Sequence, residues 1–451
     1  MKAREYFQLL YPLITEKSVK RALVLMGPRR VGKTVILYHT IEKLIEDGVA
    51  ASNICYFSIE TPLYNGIFLE ELVNLYLKLQ LKNTKELYYI IFDEIQYLKD
   101  WEIHLKSLVD SYHNIKFIVS GSAAAALKLK SQESGAGRFT EFILPPLTFH
   151  EFLSLTNSDN IIKEAPILVK HNEVEYEALF HTTSNIKRLN QYFTNYINFG
   201  GYPELSLSEV IQSDPGRYIR NDIIDKVLMR DLPSLYGISD IQELNSLFTY
   251  IAYNSGNEMS LDEISQNSGV AKNTIKKYLI YLEAAFLIKI IHRIDQTGKK
   301  FKRANFFKIY LTNPSLRSAL FSPISATDDF MGNMVEIAIF SQWQHSQNSQ
   351  LYYARWQSGE VDIVLLNERQ KPFWCIEIKW TNRFAKNPGE LKNIKSFCSK
   401  HEVDGVTITT IDIMKEFDKD KLTYSFVPAS LYCYTIGKNL VSEKPVPLYN
   451  Y

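Results

Sequence analysis

Ala22-Leu23-Val24-Leu25-Met26, followed directly by Gly27-Pro28-Arg29-Arg30-Val31-Gly32-Lys33-Thr34, is the stretch that decides how this chain folds. Five consecutive apolar residues halted by a glycine read as a strand buried on both faces, the kind found in parallel sheets. The eight residues after it keep the spacing G-x-x-x-x-G-K-[ST], and each residue type has a mechanical reason to be there. The glycines let the backbone wrap an anion at close range and take up conformations closed to side chains. Successive N–H groups from Arg29 to Thr34 then face a phosphate at the positive end of the helix that starts there. Lys33 reaches the β- and γ-phosphates and Thr34 offers its hydroxyl to Mg²⁺, so ATP and Mg²⁺ are the expected ligands. The whole loop, Gly27, Pro28, Arg29, Arg30, Val31, Gly32, Lys33 and Thr34, forms the expected nucleotide-binding set. Arg29 and Arg30 read as phosphate contacts, as partners of acidic groups or as solvated charges.

Working outward, residues 35–45 have helical spacing, and Asp47-Gly48 ends it. Further strands are expected at 54–59, 88–92 and 115–120, separated by helical segments, which makes a doubly wound α/β unit with helices on both faces of a parallel sheet. Tyr88-Tyr89-Ile90-Ile91-Phe92-Asp93-Glu94 supplies acids at the end of an apolar strand, the edge where such sheets bind ligands. Asp93 is expected to hold Mg²⁺ through water, and Glu94 to orient and deprotonate an attacking water. In Phe117-Ile118-Val119-Ser120-Gly121-Ser122, Ser120 or Ser122 is placed to bond the γ-phosphate or that water, or simply to form a turn. Arg138, beside Gly137, is a candidate for neutralising transition-state charge in a neighbouring subunit, with an ordinary salt bridge as the competing reading.

The chain has 451 residues, enough for two to four domains. Lys plus Arg number 51 against 50 Asp plus Glu, a net charge of +1, which excludes a protein that is basic all over and leaves any nucleic-acid contact to a local patch. Aromatic residues make up 13%, too many for a disordered chain. The four cysteines are scattered without a C-x-x-C pair, which suits a reducing compartment, and no run of ~18 apolar residues predicts a membrane span. A cytoplasmic location without a membrane partner is therefore expected. The expected division is 1–155 for the nucleotide-binding core, 156–255 for a helical lid or connector whose first part (157–185) reads as irregular and polar, 256–312 for a winged helix, and 313–451 for a C-terminal α/β domain.

Within 256–312, Leu261, Ile264, Val270, Ile275, Tyr278, Leu279, Leu282 and Leu287 give two apolar faces joined by a turn at Gly269. The second helix carries Lys272, Lys276 and Lys277, and a basic stretch follows with Arg293, Lys299, Lys300, Lys302, Arg303 and Lys308. Lys272, Lys276, Lys277, Lys300 and Arg303 are the candidate contacts to double-stranded DNA, set against a winged helix used only for packing or protein contact. Near the end, Phe373-Trp374-Cys375-Ile376-Glu377-Ile378-Lys379-Trp380 reads as a strand whose alternation places Glu377 and Lys379 on one side. Upstream lie Asp362, in the strand 360–366, and Glu336, in the helical run 334–343. Carboxylates plus a lysine are what a Mg²⁺-dependent nuclease requires, and read alone they are equally a surface ion pair.

Together these blocks resemble a prokaryotic family of P-loop ATPases of the AAA+/STAND-like type, whose members carry a C-terminal domain of the restriction-endonuclease-like, PD-(D/E)xK, class. The blocks are GPRRVGKT, the stretch 91–110, SGS at 120–122, AGR at 136–138, PLTFHEF at 146–152, FGGYPEL at 199–205, the helix–turn–helix, the stretch 352–365 and CIEIK at 375–379. The resemblance implies that Lys33, Thr34, Asp93 and Glu94 serve ATP binding and hydrolysis, and that Arg138 stands at the family's Gly-Arg position. It aligns Glu336, Asp362, Glu377 and Lys379 with the nuclease-fold signature, with Arg355 just before it. Ile337 departs from the asparagine that usually follows the helical glutamate. Three functions follow as expectations: an ATPase controlling a nucleic-acid-facing half, a Mg²⁺-dependent DNA nuclease regulated by ATP, and a non-catalytic nucleotide switch. A homo-oligomer is expected where Arg138 acts in trans.

Overall fold

The computed structural model describes residues 2–16, 18–64, 66–80, 86–122, 137–171, 174–299, 306–344 and 350–441. It divides into two compact units: Met1–Pro145 with Asp222–Ser239 and Ala284–Phe286, and Pro146–Asn221 with Asp240–Glu283 and Leu287–Tyr451.

The first unit is built on strands Ala22–Met26 (β1), Ile54–Ser58 (β2), Tyr88–Asp93 (β3), Ile115–Gly121 (β4) and Phe139–Ile143 (β5). They pair in the order β2-β3-β4-β1-β5, all parallel. The apolar runs form strands because both faces are covered. Alternate residues Ala22, Val24, Ile90, Phe92, Phe117 and Val119 pack under helices Leu69–Gln80 and Trp101–Ser111, where Trp101 is fully buried. On the other face, Leu23, Leu25, Ile91 and Ile118 are equally buried, on the side of helix Lys33–Glu46. Helix Lys33–Glu46 ends at Asp47-Gly48 as expected, with Gly48 at φ 89°, a left-handed turn that needs no side chain.

The second unit departs from the expected division. Residues 162–183, expected as part of an irregular helical connector, form the hairpin Ile162–His171 (β6) and Val174–Thr183 (β7). Antiparallel pairing from Ile162↔Thr183 to His171↔Val174 makes a two-stranded ribbon, whose inward-facing N–H and C=O groups bond across the pair. Strands Glu258–Ser260 (β8), Ile288–Ile294 (β9) and Phe306–Leu311 (β10) enclose helices Leu261–Ser268 and Lys272–Ala284. They are followed by Leu351–Trp356 (β11), Gly359–Leu366 (β12), Pro372–Glu377 (β13), Gly405–Thr410 (β14), Lys415–Lys419 (β15) and Leu422–Pro428 (β16). All nine lie in one mixed sheet, β15-β16-β14-β13-β12-β11-β9-β10-β8. The boundary expected at 312/313 therefore falls inside a continuous sheet, because β9 pairs in parallel with β11 from Tyr352↔His292 to Ala354↔Ile294.

Several sequence blocks of the second unit meet in one buried polar network. Tyr196, on helix Ile186–Phe199, donates its hydroxyl to the Leu147 carbonyl at 2.8 Å. It accepts from Gln342 Nε2 at 2.8 Å, while Gln342 Oε1 accepts the Phe149 N–H at 2.9 Å. The Leu147 N–H donates to the Gly201 carbonyl at 2.9 Å. Gly201 is obligatory, since a Cβ there would stand 2.5 Å from Asn313 Oδ1. Thr148 and Glu151 close a reciprocal capping box at the start of helix Phe149–Leu155. Gln342 lies on Met331–Trp343, a helix apolar nearly all round and packed as a core element. Gln342→Leu strands the buried Phe149 N–H and removes one donor to the Tyr196 hydroxyl, which keeps its bond to the Leu147 carbonyl. It is expected to cost about 2–3 kcal/mol, read as a lower urea midpoint for the second unit with the first unit's transition unmoved.

Candidate functional site

The nucleotide loop is held in shape before any ligand arrives. A Cβ on Gly27 would lie 2.2 Å from the Leu144 carbonyl oxygen, so only glycine fits where β1 turns into the loop. Arg30 (φ 65°) and Gly32 (φ 94°) are both left-handed, a pattern that turns successive N–H groups inward to form an anion-binding nest. The buried Arg4 guanidinium ties the loop down from below, donating to the Val31 carbonyl at 3.0 Å and the Pro145 carbonyl at 2.8 Å. Lys33 opens its helix, and its ammonium donates to the carbonyls of Gly27 (3.2 Å) and Pro28 (2.9 Å). Burial lowers its pKa, against the pull of Glu94 and Asp93.

Parallel pairing brings the acids to the same edge. The Thr34 hydroxyl donates to Asp93 Oδ2 at 2.8 Å, and Tyr56 on β2 donates to the same oxygen at 2.7 Å. Ser120 donates to Asp93 Oδ1 and accepts the Glu94 N–H at 3.1 Å. With its hydroxyl committed there, Ser120 backs the acid turn rather than facing a phosphate, which corrects its expected contact with ATP. Ser122 keeps a buried hydroxyl without a partner among the described residues, and its N–H donates to Gln96 Oε1 at 3.1 Å. Gln96 also donates to Glu94 Oε2, so one side chain links the acid to the end of β4. Thr34 and Asp93 thus bring a hydroxyl and a carboxylate oxygen together, oxygen donors of the kind Mg²⁺ takes.

Arg138 lies elsewhere. It precedes Phe139, which pairs with Ala22, whereas the nucleotide loop follows Met26, the partner of Ile143. Five residues of strand, about 16 Å, separate it from that edge. Its guanidinium pairs with Asp110 at 3.2 Å. Both arginines of the loop are paired: Arg29 makes a bidentate bond to Asp231 (3.0 and 2.9 Å), and Arg30, more exposed, reaches Asp222 at 3.0 Å. Asp231, Gln96, Tyr56 and Arg4 carry no mark in the sequence, since no local spacing sets them apart.

In the second unit the C-terminal candidates do converge. Lys379 Nζ lies 3.1 Å from Asp362 Oδ2 and 2.9 Å from Glu377 Oε1, and the Ile378 N–H donates to Asp362 at 2.8 Å. Glu336 accepts from Tyr310 at 2.5 Å and from Lys308 at 3.1 Å, and Lys308 also pairs with Glu360 at 2.7 Å. Arg355 joins Glu258 (3.4 Å) and Glu360 (3.5 Å). Lys308, expected in an exposed basic wing, is buried in this network because β10 alternates Lys308 and Tyr310 against Phe307 and Ile309. Arg293 is likewise held by Glu258 at 3.4 Å. Lys272 pairs with Asp262, while Lys276 and Lys277 are exposed on helix Lys272–Ala284. Lys300 and Arg303 lie outside the described residues. Among the described residues, no three His, Cys, Asp or Glu side chains gather closely enough to hold a metal, because lysine ammoniums stand between the acids.

The acids of this cluster divide by environment. Burial alone would raise the Asp362 carboxyl, but Lys379, Lys308 and the Ile378 N–H together hold it below the ordinary aspartate value. Burial, then the neighbouring Asp362 charge, push Glu377 up to about 8 against the pull of Lys379, and its Oε2 has no hydrogen-bond partner among the described residues. A carboxyl raised above its unfolded value of 4.5 adds stability that is present in full below that value and lost as pH rises through about 8. Glu377→Gln stays neutral throughout, so its urea midpoint relative to the unmodified protein is expected to rise between about pH 5 and about pH 9. A difference that does not change with pH would remove this protonation from the account.

Residues 19–153 match the sequence profile of an AAA domain, and residues 190–328 that of a domain of unknown function, DUF8612. An uncharacterized protein of Methanocaldococcus jannaschii is 26% identical over 407 residues, covering 88% of this chain and 83% of its own length. An uncharacterized protein of Haemophilus influenzae is 26% identical over 313 residues, covering 68% of this chain and 71% of its own. AMPPCP-bound DnaA from Aquifex aeolicus is 14% identical with a TM-score of 0.30, over 63% of this chain and 89% of that one. Among the described residues no helix is long and apolar enough to cross a membrane. The first unit thus pairs a nucleotide-loop geometry with an AAA-type sequence.

Proposed function

We propose that the protein is an ATP hydrolase whose nucleotide state governs a DNA-facing second unit. The observation that carries the first half is the convergence at one sheet edge of Lys33, the Thr34–Asp93 pair and Glu94. The nest at Arg30 to Gly32 binds the β-phosphate through backbone N–H groups, and Lys33 exchanges its loop carbonyls for phosphate oxygens. Thr34 and Asp93 would hold Mg²⁺, which supplies charge neutralisation across the β- and γ-phosphates when bound. Glu94 accepts the proton of the attacking water, with Gln96 holding its carboxylate in place. Ser122, whose hydroxyl has no partner among the described residues, is the phosphate-facing residue of the β4 turn. Lys33→Ala is expected to lose ATP binding by calorimetry. Glu94→Gln is expected to bind ATP while hydrolysis falls by about 10²–10⁴-fold. Unchanged turnover in Glu94→Gln would reject the assigned base.

The DNA-facing half of the reading rests on helices Leu261–Ser268 and Lys272–Ala284 joined by a left-handed Gly269 (φ 74°), followed by β9 and β10 in the order of a winged helix. Lys276 and Lys277 are its exposed cations toward a phosphate backbone, while β9 and β10 belong to the larger sheet and serve as scaffold. A nucleotide-responsive switch without hydrolysis would instead show ATP-dependent binding with negligible turnover.

A second reading, a Mg²⁺-dependent nuclease regulated by ATP, is favoured by the Asp362–Lys379–Glu377 constellation and the orphaned Glu377 Oε2. Asp362 and Glu377 are two of the acids such a site requires, and Lys379, which bridges them here, is the group that would position the water or offset developing charge. Supercoiled plasmid incubated with Mn²⁺ is expected to be nicked by the unmodified protein and left intact by Glu377→Ala. Equal nicking by both would exclude Glu377 from that chemistry.

A further inference from the structure

The segment that returns to the first unit, Asp222–Ser239, meets the nucleotide loop through its acids. It holds the wide-turn helix Val227–Asp231 and the short helix Leu232–Tyr236, which stops at Gly237 (φ 63°). Asp231 is buried, with 7% of its side chain exposed, and both of its oxygens are taken by Arg29 in a planar two-point bond. Such geometry is also the one by which a guanidinium grips a phosphate. Arg29 occupies the third position of the nucleotide loop, and its charge is felt by Lys33, as is that of Asp231. Glu94 and Tyr97 act in turn on Arg29, and the Arg230 guanidinium lies 5.9 Å over the Tyr97 ring. Asp231 therefore places a negative charge within electrostatic reach of the lysine that a triphosphate must engage. Arg30–Asp222 repeats the arrangement one residue on, with side chains 41% and 29% exposed, where solvent weakens it.

We propose that Arg29 is a phosphate-binding residue whose partner in the empty site is Asp231, so that Asp231 competes with the terminal phosphate and sets the preference between nucleoside tri- and diphosphate. This rests on the ATPase reading and deepens it. An incoming triphosphate offers Arg29 a second bidentate anion and sets its own charge against Asp231. A diphosphate occupies the nest without reaching as far, and leaves Arg29 with Asp231. Asp231 is a positioning residue, acting through Arg29, and the release of Arg29 loosens the docking of residues 222–236 in the triphosphate state alone.

The test is calorimetric titration of the full chain with Mg·ATP and, separately, Mg·ADP. Asp231→Asn is expected to tighten ATP on the order of tenfold while ADP moves by about twofold or less. Arg29→Lys keeps the charge but loses the fork, and is expected to weaken ATP more than ADP. Equal shifts for the two nucleotides, or ATP binding no tighter in Asp231→Asn, overturn the proposal and leave a structural ion pair. Because the substitution exposes a buried guanidinium to the loss of its partner, the unmodified protein gives an independent readout. Amide hydrogen exchange across 222–236 is expected to speed up with ATP and not with ADP, and identical exchange in both overturns the proposal. Lys33→Ala separates the two readings. If the unmodified protein and Lys33→Ala alike give no heat with ATP, the ATPase reading fails and carries this one with it. If only Lys33→Ala is silent and the Asp231 and Arg29 variants keep the unmodified ratio of affinities, this inference alone fails.

Discussion

Parallel pairing of β3, β4 and β1 is the constraint on which the proposed nucleotide site depends. In a parallel sheet every strand delivers its carboxyl end to the same edge, and crossover helices take the chain back each time. The loop after β1, the acids after β3 and the serines after β4 are therefore neighbours although about ninety residues separate the first from the last. Leu23↔Ile118 and Ile90↔Phe117 fix that register, and a slip of one residue would send Asp93 to the wrong face and break its bonds to Thr34, Tyr56 and Ser120. The same geometry explains why Arg138, at the start of β5, is remote from the site in its own chain.

In the second unit the controlling fact is continuity of hydrogen bonding. The strands that would make a free wing are internal to a nine-stranded sheet, joined to the strands that carry Glu360, Asp362 and Glu377. Once β10 lies inside a sheet, alternation dictates that Lys308 and Tyr310 share a face, and that face meets Glu336. An alternating chain of acids and bases results: Glu258, Arg355, Glu360, Lys308 and Glu336, with the Asp362–Lys379 pair and the up-shifted Glu377 beside them. Buried charges of this kind persist only when paired, and each lysine bridging two acids meets that requirement.

Local signals accounted for the elements whose chemistry is contiguous in sequence. The run 22–34 carries strand, turn and helix start within thirteen residues, and the structure reproduces it with Gly27 and Gly32 doing what glycine alone can do. Glu377 and Lys379 were legible for the same reason, since a spacing of two places both on one side of an extended chain. The hairpin at 162–183 was not, because its two runs become strands only by pairing with each other, a contact between separate segments that no local spacing marks. Lys308 was misread because net basic charge over 293–308 concealed an alternation of only five residues.

What the sequence determined by itself is the kind of chemistry available: a glycine-framed anion loop with one lysine, an acid pair after a buried strand, and a carboxylate–lysine spacing near the end. What the tertiary structure alone decided is which charges face one another. Arg29 meets Asp231 across 202 positions of chain, Gln342 meets Tyr196 across 146, and Lys308 meets Glu336 across 28. Residue type and short-range spacing set what a side chain can do. Its partner is set by where sheets and helices close, and no local pattern encodes that because the energy of such a pair exists only after the chain has folded.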